Sequence, residues 1–138
     1  MTDQAPPFVE KDVEHMVLGA SLEYDGLAGQ FVTEGVREPH FYSEHHRKIW
    51  RRLVEALTHE LGACLPTVRM LLAQHGEIED VGPAYLSRLV DGVPRPNRES
   101  VRALSRRLIT CAVGRGTIEL LARSQRELAE RPVALSDG

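Results

Sequence analysis

Lysine is almost missing from this 138-residue chain: Lys11 and Lys48 are the only two, and neither lies in a glycine-rich loop. No Gly-x-x-x-x-Gly-Lys-[Ser/Thr] occurs, so nothing in the sequence cradles a nucleotide phosphate, and an ATPase motor is excluded from the chain. Neither a Gly-x-Ser-x-Gly elbow nor a His-Glu-x-x-His pair is present. Nothing therefore positions a nucleophile, and no catalytic or cofactor-binding residue is assigned. Cysteine is scarce too. Cys64 and Cys111 lie far apart without framework spacing, which predicts two reduced, part-buried thiols in a cytoplasmic protein. No basic start followed by an apolar run marks a signal peptide. No apolar stretch nears the ~20 residues that a membrane span needs.

Aromatic residues are few: three Phe, three Tyr and one Trp. Phe41, Tyr42 and Trp50 fall within ten positions of each other, which predicts that they form the centre of the core. The length suffices for one domain with a real core and no need of disulfides or metal.

The formal charge is -3, which argues against a surface that grips nucleic acid all over. The charge is unevenly spread. Residues 1–44 hold nine acids against Lys11 and Arg37, a net charge of -7. Residues 95–107 hold Arg95, Arg98, Arg102, Arg106 and Arg107 against Glu99, a net charge of +4. Arg98, Arg102 and Arg106 recur every four positions, on one helix face. Three readings stay open for that stripe: a solvated face, a dock for a protein such as the acidic half of a neighbouring subunit, or a track for phosphates.

The periodicity is helical throughout, and no alternating strand pattern exceeds a few residues. Residues 1–8 read as a tail, with Pro6 and Pro7 opposing a helix start. Val13, Met16, Val17 and Ala20 give a first amphipathic helix, with Glu10, Asp12 and Glu14 in its first turns. Leu27, Phe31 and Val32 mark a short second helix. Ser43 caps a third, whose inner stripe is Ile49, Leu53, Val54 and Leu57. Pro66 opens a fourth with Val68, Leu71 and Leu72 inside, closed by a left-handed Gly76. Pro83 opens a fifth carrying Tyr85, Leu86, Leu89 and Val90. Asn97 caps the last and longest, with Val101, Leu104, Leu108, Cys111 and Ala112 inside and a kink or break predicted at Gly114 and Gly116. Residues 132–138 read as a tail or the start of a linker.

His40, His45 and His46 invite a metal reading. Adjacent helical residues point about 100° apart, so His45 and His46 do not both face one ion. The better expectation is that one of the pair packs on the core and bonds backbone while the other is solvated, with no metal bound.

Several short patterns occur in a telling order: Val13-Glu14-His15-Met16-Val17-Leu18-Gly19, then Phe41-Tyr42, His46 and Ile49-Trp50, then Thr67-Val68 and Leu72. Gly76, Ile78, Val81-Gly82 and Tyr85-Leu86 follow, and last Val93-Pro94 and Asn97. Together, over about residues 9 to 112, they resemble the N-terminal domain of bacterial replicative DNA helicases of the DnaB type. The chain departs from that pattern at Cys64, where an Asp is usual before the fourth helix, and at Pro83, where a second Gly is usual.

The resemblance implies an all-α fold, a compact orthogonal bundle of about six helices over residues 9–131, ending in a long helix that is the first arm of a helical hairpin. It implies Val13, Val17, Phe41, Tyr42, Ile49, Trp50, Leu53, Leu72, Tyr85, Leu86, Leu104 and Leu108 as core. It implies a non-enzymatic collar that assembles with itself, as dimers within a hexameric ring, and docks the C-terminal domain of a DnaG-type primase or a helicase loader. ATP and Mg would bind a separate C-terminal motor domain, DNA contact would be indirect or weak, and no membrane would be involved. Arg98, Arg102, Arg106 and Arg107, with Leu120 and Leu121 near the far end of the long helix, are the candidate contact residues. Two other classes stand beside this one. One is a phage or plasmid adaptor that competes for the primase or the ring. The other is a small helix-turn-helix regulator reading DNA through His46, Arg47, Arg51 and Arg52.

Overall fold

The computed structural model describes the backbone of residues 11–130 and the side chains of residues 11–116. The described backbone holds helices α1 (Lys11–Glu23), α2 (Leu27–Thr33), α3 (Glu44–Thr58), α4 (Leu65–Gln74), α5 (Ile78–Val81), α6 (Pro83–Val90) and α7 (Arg98–Glu130), and a 3-10 turn at Glu38–His40 before α3. No strand occurs among the described residues. The all-α expectation holds with one more helix than foreseen. The four-residue α5 lies where the sequence reads as a turn, between the left-handed Gly76 and Gly82 at φ +70° and +97°.

The capping chemistry sets the helix ends. The Ser43 hydroxyl accepts from the His46 N–H at the start of α3. Asn97 Oδ1 accepts from the Ser100 N–H at 2.8 Å at the start of α7. Pro66 and Pro83 sit in the first turns of α4 and α6, where a missing N–H costs nothing. Cys64 makes no side-chain cap bond at the start of α4, so the capping interaction that an Asp would make is lost.

Helix α1 is the axis of the fold. It packs against α2, α3, α4, α6 and α7, and six consecutive residues, Val17 to Leu22, are buried. A helix buried nearly all round shows no single apolar stripe, which is why the amphipathic reading of α1 placed Met16 inside although it is 40% exposed. Gly19 is where α6 meets α1. A Cβ there would stand 2.2 Å from the Leu89 carbonyl oxygen, so only glycine permits this approach.

Phe41 and Trp50 lie at the centre of the core, their rings 5.4 Å apart and tilted. Val13, Val17, Ile49, Leu53, Leu72, Leu86 and Leu108 join them as expected. Tyr42 does not: it is 45% exposed. Phe41 is in extended backbone (φ -87°, ψ 135°), where successive side chains point to opposite faces, so burying Phe41 turns Tyr42 outward. Tyr85 and Leu104 are only half-buried, packed against the core's edge.

Helix α7 runs through Gly114 and Gly116 without the expected break. Glycine in a helix carries an entropic cost but no steric bar, and the residue between the two glycines is anchored. Arg115 is buried, donates to the His40 carbonyl at 2.9 Å and lies 5.4 Å over the Tyr42 ring. It clamps α7 to the 3-10 turn and the segment after it. At 33 residues α7 is about 50 Å long, and its packing is against α1, α2 and the 3-10 turn. The tail assignments at 1–8 and 132–138 and the side chains of Leu120 and Leu121 lie outside the described residues.

Candidate protein-docking site

The first turns of α7 carry the arginine stripe outward. Val101, Ser105 and Leu108 face the body, which leaves Arg98, Arg102, Arg106 and Arg107 exposed. The helical period thus delivers what the sequence predicted: an arginine face backed by a buried stripe. Arg95, in the connection before α7, extends this face. Its guanidinium lies 5.7 Å over the Tyr24 ring, and the Tyr24 hydroxyl donates to the Val93 carbonyl at 2.6 Å, which fixes the connection against the end of α1.

Two clefts flank residues 95–97. On one side, Arg95, Arg98 and Arg102 meet Gln30 and Thr33 of α2 and Glu34 just after it around a polar cleft of about 550 Å³. Arg102 Nε stands 3.7 Å from Glu34 Oε2. On the other side, Met16 and Ala20 of α1 meet Val93, Pro94, Ala103 and Leu104 around a largely apolar cleft of about 450 Å³. The sequence places Arg95 beside Arg98 and Arg102 but gives no sign that Glu34 and Met16 are their neighbours. That signal was weak, because Glu34 and Met16 belong to segments distant in sequence from α7. Arg106 and Arg107 do not line either cleft.

The histidines are resolved differently from the sequence expectation. One of the adjacent pair is buried and the other exposed, as expected, and the structure assigns these places to His46 and His45 respectively. His46, however, bonds side chains and not backbone: Nδ1 is 2.6 Å from Glu14 Oε1 and Nε2 is 2.6 Å from the Tyr85 hydroxyl. The second Glu14 oxygen accepts the Tyr42 N–H at 2.7 Å. This buried Glu14–His46–Tyr85 chain ties α1, α3 and α6 together. Burial, and then the Glu14 charge, push the Tyr85 phenol above its ordinary value. His45 pairs loosely with Asp80, which also takes Lys48.

Helix α3 does not present a base-reading row. His46 and Arg52 are buried. Arg52 pairs with Glu55 at 2.6 Å and stands 3.3 Å from Glu77. Arg47 donates to the Phe41 carbonyl, and Arg51 forms a two-point bond to Glu38. That hydrogen bond holds the Glu38 carboxyl below its ordinary range. The side chains that suggested a recognition helix hold the fold together instead. No group of three or more His, Cys, Asp or Glu with metal-ligand placement occurs among the described residues. No described helix is long and apolar enough to cross a membrane.

The result is an all-α domain whose buried polar groups hold its elements together and whose longest helix turns a charged face outward beside two clefts. The particular family follows from comparison. Residues 6–104 match the model of the DnaB-like helicase N terminal domain, and the chain belongs to that family. It is 33% identical over 78 residues to the replicative DNA helicase DnaB of Rickettsia conorii, a match that takes in 56% of this chain and 16% of that protein. Its fold is that of the N-terminal domain of DnaB helicase from Mycobacterium tuberculosis, with a TM-score of 0.81 at 20% identity over 96% of this chain and 94% of the other. The chain thus has a DnaB-type N-terminal domain and spans 16% of the length of the curated relative it matches.

Proposed function

We propose that this chain acts as the assembly and docking collar of a replicative helicase. It self-associates within a ring and offers α7 to a DnaG-type primase C-terminal domain or to a loader. The family match over residues 6–104 carries the reading. The outward arginine face on α7 supports the choice of surface, because arginine combines a weakly hydrated charge with a planar fork suited to protein interfaces. On this reading Arg98, Arg102, Arg106 and Arg107 make charged contacts, and Leu120 and Leu121 make apolar ones further along. The domain binds no nucleotide itself, ATP and Mg being the business of a motor domain, and it works in the cytoplasm.

The test is alanine at all four arginines in the 138-residue chain, with self-association read by sedimentation velocity and primase binding by titration calorimetry. The expected result is weakening of at least one of the two with unchanged helicity. If both are unchanged, the arginine face is solvated surface and the docking assignment fails.

A further inference from the structure

Resting on the reading of α7 as a protein-docking face, we infer that the two clefts flanking residues 95–97 form one site for an extended acidic peptide bearing a bulky apolar side chain. The clefts share the residues 95–97 between them, so a segment crossing that ridge enters both. The polar cleft brings three guanidiniums within one surface: Arg95 braced on Tyr24, and Arg98 and Arg102 about 6 Å apart along the axis of α7. Their planar forks take carboxylates bidentately. Gln30, Thr33 and Asn97 add neutral hydrogen-bonding groups suited to a peptide backbone. Across the ridge, Met16, Val93 and Leu104 supply an apolar floor, with Met16 left 40% exposed.

The same observations disfavour a nucleic-acid strand. Single strands are held by bases stacking on open aromatic rings beside a basic groove. The Tyr24 ring, which lies against Arg95, is already covered by that guanidinium. The apolar floor across the ridge offers nothing to a sugar–phosphate backbone, whereas a peptide brings a bulky apolar side chain to it. Glu34 has a specific role in the peptide reading: at 3.7 Å from Arg102 it competes with the incoming carboxylate, so it weakens the site and sets its selectivity.

The experiment is fluorescence anisotropy on the full 138-residue chain. The probes are a labelled glutamate-rich peptide with one central leucine, the same peptide with serine in place of leucine, and oligothymidylate. The leucine peptide is expected to bind more tightly than the serine peptide. Its affinity should fall about tenfold or more in Arg98→Glu/Arg102→Glu, fall in Met16→Glu, and rise in Glu34→Gln. These side chains are exposed or partly exposed, and circular dichroism confirms that each variant is folded. Peptide binding indifferent to the arginine reversal overturns the inference. So does oligothymidylate binding that the reversal abolishes while the peptide does not bind, and so does a reversal that alters only self-association. If the peptide fails to bind while the chain still associates with itself and with primase, this inference falls alone. If those associations fail while the peptide binds, the collar reading falls and the site stands.

Discussion

Replacing Gly19 by alanine tests the packing argument most directly, because two effects of opposite sign meet at one atom. Alanine in place of a mid-helix glycine favours the helix by about 1 kcal/mol. Against that, the new methyl would stand 2.2 Å from the Leu89 carbonyl oxygen and 3.2 Å from its carbon, both backbone atoms of α6 that no rotamer change can move. An ordinary carbon–oxygen contact is about 3.3 Å or more, so α1 and α6 must separate by roughly 1 Å. A gap of that size forfeits a quarter to a half of each dispersion contact across it. Because α1 also packs on α2, α3, α4 and α7, it cannot shift from α6 without disturbing the rest of the core. Overpacking of this kind costs about 3 kcal/mol or somewhat more, which leaves a net loss of about 2–3 kcal/mol. For a chain of this size that lowers the melting temperature by about 8–12 °C. Gly29 in α2 is the control: a Cβ there meets nothing within 4 Å, so Gly29→Ala should raise the melting temperature by a few degrees. Thermal unfolding of the two variants side by side settles the matter. A Gly19→Ala protein that melts at or above the parent temperature would show that α1 and α6 do not approach this closely.

Three further substitutions follow from the same geometry. The Ser105 hydroxyl is buried without a hydrogen-bond partner among the described residues, so Ser105→Ala should stabilise the fold by about 1 kcal/mol in urea titrations; a loss of stability would mean that the hydroxyl has a partner. Glu14→Ala removes the acceptor for both His46 Nδ1 and the Tyr42 N–H, and should cost at least about 2 kcal/mol in the same assay; a neutral result would deny the buried chain its role in joining α1 to α3. Stability should also fall on acidification, first through His40. Burial foremost, then the charges of Arg37 and Arg115, hold the His40 pKa below the ordinary histidine value, and its Nδ1 accepts the Arg37 N–H at 2.9 Å. A depressed folded value means that this contribution is complete above the unfolded pKa and is lost as pH falls through the folded one. Melting temperatures followed from neutral into mildly acidic buffer should decline in the parent and decline less in His40→Asn. Equal slopes would remove His40 as the cause.

The sequence by itself determined where most helices begin and end, though not the short α5 or the continuity of α7. Ser43, Pro66, Gly76, Pro83 and Asn97 act through bonds and dihedrals within a few residues, so their effects are local and legible. The burial of Val68, Leu71 and Leu72 follows from helical period alone. The arginine face of α7 was equally legible, because one helix carries all of it. Tertiary structure decided whatever depends on several elements at once. Tyr42 faces outward because Phe41 takes the core. His46 is partnered by Glu14 and Tyr85, respectively 32 and 39 positions away. Arg115 secures α7 through a carbonyl 75 positions earlier, which is why the glycines on either side do not break the helix. Glu34 and Met16 come to line the clefts beside the arginine face only when α1, the end of α2 and α7 converge. Periodicity reports which way a side chain points from its own helix, and it carries no information about which distant residue waits there.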